Sequence, residues 1–224
     1  MMEIDFWKQR WQENQIGFHL NQVNPSLEKF CPALKLEQGA QVFVPMCGKS
    51  LDMLWLANAG YDVIGVECSE LAIQSFFTEH KLPCTRSLDH ALQSYKSKNI
   101  HLLHGDFFDL QTDMLSGVAA VYDRAALIAL PPDMRKNYVE KLFDVLPQHA
   151  SMLLITLVYD QTLMAGPPFS VPEMEVQNLY GKRFTLRTLQ QTNVLHEQPR
   201  FAQRGLDSLL ETVYLLSPKH LTQP

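Results

Sequence analysis

Residues 41–67 read QVFVPMCGKSLDMLWLANAGYDVIGVE, and the alternation of apolar runs with turn formers in this stretch decides the fold. Residues 41–45 are an apolar run of strand length after the Gly39 turn, and Ser50 caps a helix that runs to about residue 58, where Gly60 ends it. Residues 61–66 form a second strand, and Ser69 at its exit caps another helix reaching about residue 80. Strand, helix and strand joined by short turns make a layered α/β arrangement.

The same alternation continues outward from this unit. Residues 100–104 and 118–122 are apolar runs of strand length. Residues 133–146 carry Tyr138, Val139, Leu142, Phe143 and Leu146 at helical spacing, and residues 151–159 are a long apolar strand. Residues 183–189 and 209–216 are strand-like with no long helix between them, which makes them an antiparallel pair. The expected fold is therefore α/β: a Rossmann-like, seven-stranded, mostly parallel sheet with helices on both faces and an antiparallel final strand. No repeat, linker or low-complexity run interrupts the chain. It reads as one domain over 1–224, with 1–39 as an N-terminal helical cover and 40–216 as the α/β core.

At 224 residues, with 46% hydrophobic and 19% charged, the chain is long and apolar enough to bury a core of its own. Its 19 Lys and Arg against 24 Asp and Glu leave a net charge of -5, which disfavours nucleic acid as a partner. The opening Met-Met-Glu-Ile-Asp-Phe-Trp-Lys lacks the apolar core of a secretory signal, and no apolar run is long enough to cross a bilayer. The expectation is a cytoplasmic monomer. Cys31, Cys47, Cys68 and Cys84 contain no close pair of the kind that binds zinc, so no metal is expected. His101 and His104 lie three apart in a strand, on opposite faces, and read as solvated or core histidines.

Open sheets of this kind bind ligands at the carboxyl ends of their strands, so the turn after the first strand, residues 44–50, is the first candidate. Gly48 permits close backbone approach there, although an ordinary tight turn has the same composition. Glu67 ends the second strand 19 residues after Gly48, where a carboxylate can accept hydrogen bonds from both ribose hydroxyls of an adenosyl group. Residues 105–109, Gly-Asp-Phe-Phe-Asp, offer an acid and an aromatic ring to adenine, or two rings to the core. The run Cys47-Gly48-Lys49-Ser50 imitates the end of a P-loop, but the required first glycine is Phe43, so a phosphate nest does not form. A nicotinamide dinucleotide site wants G-x-G-x-x-G, whereas this turn has one glycine. A cofactor without a pyrophosphate is favoured. The rivals are an NAD-dependent oxidoreductase and a non-catalytic protein that merely binds S-adenosylmethionine.

Several blocks then make the reading specific: residues 6–11 (Phe-Trp-Lys-Gln-Arg-Trp), 16–19 (Ile-Gly-Phe-His), 44–52, 122–127 (Tyr-Asp-Arg-Ala-Ala-Leu), 129–132 and 205–207 (Gly-Leu-Asp). Together they resemble the thiopurine S-methyltransferase family of class I S-adenosylmethionine-dependent methyltransferases. The resemblance implies that S-adenosyl-L-methionine is the cofactor and that Trp11, Met46, Glu67, Phe107 and Arg124 bind it. It places Phe18 and Arg200 against the acceptor, a small thiol such as a thiopurine or aromatic thiol, or a selenium or tellurium compound. The family often carries Leu where this chain has Met46, a volume-conserving change. Transfer from a sulfonium to a thiolate cancels charge in the transition state, so a dry pocket and good positioning serve the reaction. No side chain is assigned as a general base.

Overall fold

The computed structural model describes residues 4–89 and 92–219. In chain order its elements are α1 (Ile4–Gln12), α2 (Pro25–Phe30), β1 (Gln41–Val44), α3 (Leu51–Asn58), β2 (Asp62–Glu67) and α4 (Glu70–Glu79). They continue with β3 (Thr85–Asp89), β4 (Leu92–Ser97), β5 (Ile100–His104), β6 (Val118–Arg124), α5 (Pro132–Val145) and β7 (Ser151–Val158). The chain closes with α6 (Glu173–Tyr180), β8 (Phe184–Asn193), the short α7 (Pro199–Ala202) and β9 (Leu210–Pro218). Among the described residues no helix is long and apolar enough to cross a membrane.

All the strands lie in one sheet, in the order β3-β4-β5-β2-β1-β6-β7-β9-β8. The five central strands from β5 to β7 are parallel to their neighbours, and β9 inserts antiparallel between β7 and β8. The parallel core and the antiparallel final strand thus follow the sequence pattern, but the strand count does not. Among the described residues the sheet has nine strands, because a β3–β4 hairpin adds to β5 at one edge. Its outer strand, Thr-Arg-Ser-Leu-Asp, is almost wholly exposed, Leu88 included at 79%. Such an edge strand faces water and needs no buried side, so it leaves no apolar alternation in the sequence.

Alternate residues of each central strand feed two separate cores. Phe43, Ile64, Val121 and Leu154 pack with Tyr138, Val139 and Leu142 of α5 and with Val176 and Tyr180 of α6. Val42, Val63, Tyr122 and Leu153 pack on the other face with Leu27 of α2, Met53 and Leu56 of α3, and Ile73 and Phe76 of α4. The two-residue period of a strand and the two helical layers are one constraint seen from two sides. Leu27 and Cys31, both within residues 1–39, are buried in this second core.

Serine caps start α3 and α4 where the spacing predicts them: Ser50 Oγ accepts from Asp52 N at 3.2 Å and Ser69 Oγ from Ala72 N at 3.3 Å. From β1 the chain winds outward through β2 to β5, then returns to lay β6 on the opposite side of β1. The turns after β1 and β6 therefore diverge and leave a crevice at the carboxyl ends of these strands. Asp123, fully buried, fixes the β6 side. Its carboxylate accepts from Tyr138 Oη at 2.7 Å and from Leu127 N at 3.2 Å, which ties the turn after β6 to α5.

Burial raises the Asp123 carboxyl from 3.8 to about 6, with the two hydrogen bonds opposing the rise. The folded state then holds this proton more tightly than the unfolded chain, so the stability it contributes is complete below about 3.8 and lost as pH rises through about 6. Urea unfolding of wild type and Asp123→Asn between pH 4 and 7.5 should find wild type losing up to about 3 kcal/mol relative to the variant. Parallel profiles would remove Asp123 as a titrating group in the fold.

Candidate functional site

The crevice is a cavity of about 930 Å³. All seven residues singled out from the sequence line it: Trp11, Phe18, Met46, Glu67, Phe107, Arg124 and Arg200. They come from chain positions nearly 190 residues apart in sequence, at the N-terminus, at the ends of β1, β2 and β6, after β5, and in α7. Folding alone brings them together.

The floor is backbone. Met46 and Gly48 adopt left-handed conformations with φ of 47° and 53°, and Ala125, just past β6, has φ of 69°. Left-handed backbone at a non-glycine residue costs on the order of 1–2 kcal/mol, so two such residues flanking one crevice mark a turn geometry held by its surroundings. No sequence signal foretells Met46 or Ala125 in this state. Cys47 N donates to Val66 O at 3.0 Å, pulling the turn onto β2. Gly65 makes that approach possible, since a Cβ there would lie 2.8 Å from Cys47 Sγ and 2.9 Å from Leu102.

Glu67 joins the two turns. Its Oε2 accepts from Gly48 N at 2.9 Å and its Oε1 from Ser69 N at 2.8 Å, with Cys68 Sγ at 3.4 Å from Oε1. Burial raises its pKa, and the backbone donors of Ser69 and Gly48 pull against that rise. Two carboxylate oxygens offer about four acceptor positions. The donors named leave capacity for further hydroxyl donors on the cavity side.

The N-terminal segment forms a wall. Trp11 is buried, and a Cβ on Gly48 would lie 3.0 Å from its ring, so indole and turn are in direct apposition. Phe18 stands edge-on to both Trp7 and Trp11, each with centroids 5.5 Å apart. Arg124 Nη1 lies 3.4 Å from Phe18 O, and Arg200 Nη1 packs against Gly17. Further along, Asn24 N donates to Asp52 Oδ1 at 2.8 Å, and Tyr122 Oη donates to Asp52 Oδ2 at 2.9 Å. Asp52 lies within the motif around Gly48 yet did not stand out from its sequence, because only the fold brings Asn24 and Tyr122 to it.

Phe107 is buried and meets Tyr138 at 4.7 Å while also facing the cavity, so both readings of residues 105–109 hold for it. Asp106 is occupied in part as a cap, accepting from Phe108 N at 2.9 Å. Opposite, Pro167 and Pro168 line the cavity on a loop pinned by Tyr159 Oη to Pro168 O at 2.6 Å and Phe169 N to Ile128 O at 2.7 Å. His101 stands outside this site; its Nε2 lies 2.8 Å from Ser94 Oγ, and burial lowers it to about 4. The Cys47 and Cys68 thiols are pushed up by burial and by Glu67, so neither supplies a thiolate nucleophile. His19, Lys49 and Arg204 also line the cavity without having been singled out beforehand.

The cavity thus combines a buried acceptor carboxylate, aromatic faces, distorted turns and several guanidinium groups. Comparison with known proteins bears on the chain as a whole. A family model described as thiopurine S-methyltransferase matches residues 2–219. A thiopurine S-methyltransferase of Pseudomonas paraeruginosa is 49% identical over 216 residues, covering 96% of this chain and 99% of that one. One of Nitrosospira multiformis is 46% identical over 215 residues, covering 96% and 98%. Among solved structures, an S-adenosylmethionine-dependent methyltransferase from Anabaena variabilis matches with a TM-score of 0.65 at 13% identity, covering 96% of this chain and 95% of that one. The 1,6-didemethyltoxoflavin-N1-methyltransferase of Burkholderia thailandensis matches at 0.63 and 14% identity, covering 96% and 87%. At such identities the solved structures speak for the fold.

The apposition of Trp11 and Gly48 generates a test. Gly48→Ala adds a Cβ 3.0 Å from the indole at a φ of 53°. The melting temperature should fall by about 2–4 °C for each kcal/mol lost, with roughly 1 kcal/mol expected from the backbone alone. Tryptophan emission should shift to the red as Trp11 is displaced. A variant with wild-type melting and emission would disprove the contact.

Proposed function

We propose, from the premise that the chain belongs to the thiopurine S-methyltransferase family and is a methyltransferase that uses S-adenosyl-L-methionine, that it methylates small thiols such as thiopurines and aromatic thiols, or selenium or tellurium compounds. The observation that carries this reading is the convergence of the seven residues on one cavity at the carboxyl ends of the parallel strands.

The residues present fit the cofactor. Glu67 has acceptor capacity for hydroxyls, Met46 and its neighbours present backbone, Phe107 offers a ring, Arg124 a cation, and Trp11 an aromatic face for a positive centre. A cation near an indole gains about 0.5–2 kcal/mol. We assign these five residues to cofactor binding and Phe18 and Arg200 to the acceptor. When bound, S-adenosylmethionine supplies an electrophilic methyl group on sulfur. The chain's own contribution is to exclude water and to hold the acceptor in line. Residues 4–19, with Trp11 and Phe18, act as the cover, while residues 24–31 belong to the core. An acceptor thiol that ionises near neutral pH attacks as its thiolate, and a half-buried Arg200 anchors an anionic acceptor and orients it. No general base is needed for such an acceptor. The net charge of -5 supports a small molecule rather than a nucleic acid, and we place the protein in the cytoplasm as a monomer.

Turnover of labelled S-adenosylmethionine with a thiopurine, thiophenol, selenite and tellurite tests the reading. Methylation of at least the aromatic thiols is expected, and no methylation of any of the four would overturn it. Glu67→Ala should weaken cofactor binding roughly ten- to hundredfold by calorimetry, as hydrogen bonds to a charged group contribute about 1.5–3 kcal/mol. Arg124→Lys keeps the charge but loses the planar fork, so we expect it to lower kcat/KM in a protein of unchanged melting temperature. Wild-type constants in that variant would remove Arg124 from the site.

A further inference from the structure

We propose that Arg204 is a specificity-determining residue which, with Arg200, forms an anion-recognising mouth to the cavity, selecting aromatic acceptors that carry a carboxylate away from the sulfur. This deepens, and rests on, the reading of the cavity as an acceptor site.

Four arginines, Arg10, Arg124, Arg200 and Arg204, line the one cavity. Among the described residues none of them has a carboxylate within ion-pair distance. The arginines buried elsewhere are treated differently. Arg135 Nη1 meets Glu175 at 2.6 Å and its Nε donates to Leu130 O at 2.9 Å. Arg183 donates to the carbonyls of Phe143 at 2.8 Å and Leu146 at 3.0 Å. In the cavity Arg200 stacks over Phe201 at 4.6 Å; its buried Nε has no partner among the described residues, as is also true of Arg135 Nη2 and Arg183 Nε, but those two guanidinium groups are otherwise held by their hydrogen bonds to backbone carbonyls. Arg204 Nη1 lies 3.6 Å from the Sδ of Met164.

Burial, and then the neighbouring Arg204 and Arg124 charges, pull the Arg200 pKa down. Like charges gathered around a partly desolvated guanidinium without a counterion raise the energy of the empty arrangement, and an anion relieves it. The acids nearby do not fill that role. Glu211 lines the cavity but accepts from Ser26 Oγ at 2.9 Å and sits in the field of Arg124, while Glu197 faces His196 at 3.4 Å. With Arg124 assigned to the cofactor and Arg10 stacked over Phe6 at 4.7 Å within α1, Arg200 and Arg204 are the pair we assign to the acceptor. A planar carboxylate suits their forked donors. Arg204 is exposed, so its contribution is modest and sensitive to salt.

Calorimetric binding of para-mercaptobenzoate and of its uncharged amide, to protein saturated with S-adenosylhomocysteine, tests this. Wild type should prefer the acid, and Arg204→Gln should weaken the acid roughly three- to fivefold, an effect of the size one exposed charge supplies. Arg204→Glu should weaken it by more than about tenfold, and raising salt from about 20 to about 300 mM should shrink the preference. The amide should be unaffected throughout, and both variants should melt as wild type. Equal binding of acid and amide by wild type, or equal weakening of both by the variants, would overturn the proposal. The readout is independent of turnover. Protein that methylates thiols but does not distinguish acid from amide keeps the acceptor reading and loses this one; protein that binds the acid selectively but methylates no thiol does the reverse.

Discussion

The buried carboxylate of Glu67 is the interaction on which the rest of the site depends. It stands at the carboxyl end of β2 and holds two backbone donors at once, Gly48 N in the turn after β1 and Ser69 N at the start of α4. Burying a carboxylate is unfavourable unless hydrogen bonds replace its water. Here those bonds also fix the relation of two neighbouring βα turns. The left-handed backbone at Met46 and Gly48 is tolerated because the turn is held at both ends, by Glu67 and by the bond from Cys47 N to Val66 O.

The same device recurs around the crevice. Asp123 ties the turn after β6 to α5, and Asp52 ties the N-terminal segment, through Asn24, to α3 and to Tyr122 of β6. Each carboxylate spans elements distant in the chain. Three such groups, all at least 95% buried, make a polar frame around the turns that border the cavity. Hydrogen-bonded carboxylates of this kind hold the turns around the cavity in a rigid and specific geometry. The N-terminal segment differs in kind, since residues 4–19 rest on aromatic edges and on Arg124 and Arg200 rather than on buried carboxylates.

Charge is divided within the cavity. Glu67 and Asp52, anchored by donors of the protein, line the cavity together with arginines that, among the described residues, have no carboxylate within ion-pair distance. The acids build structure, and Glu67 does so while keeping acceptor positions unused; the arginines keep donor capacity.

The sequence by itself determined the parallel core, the antiparallel final strand, both serine caps and the spacing from Gly48 to Glu67. These follow from local periodicity and turn chemistry, which any short window of the chain contains. Motif resemblance added Trp11, Met46, Phe107, Arg124, Phe18 and Arg200. Tertiary structure alone decided the β3–β4 hairpin, whose outer strand buries nothing and so leaves no pattern, and the left-handed states of Met46 and Ala125. It also decided the partners of Asp52 and Asp123 and that, among the described residues, Arg204 has no carboxylate within ion-pair distance. A side chain's charge is written in the sequence, but whether that charge is neutralised depends on groups brought near it from distant parts of the chain, and only the fold sets those distances.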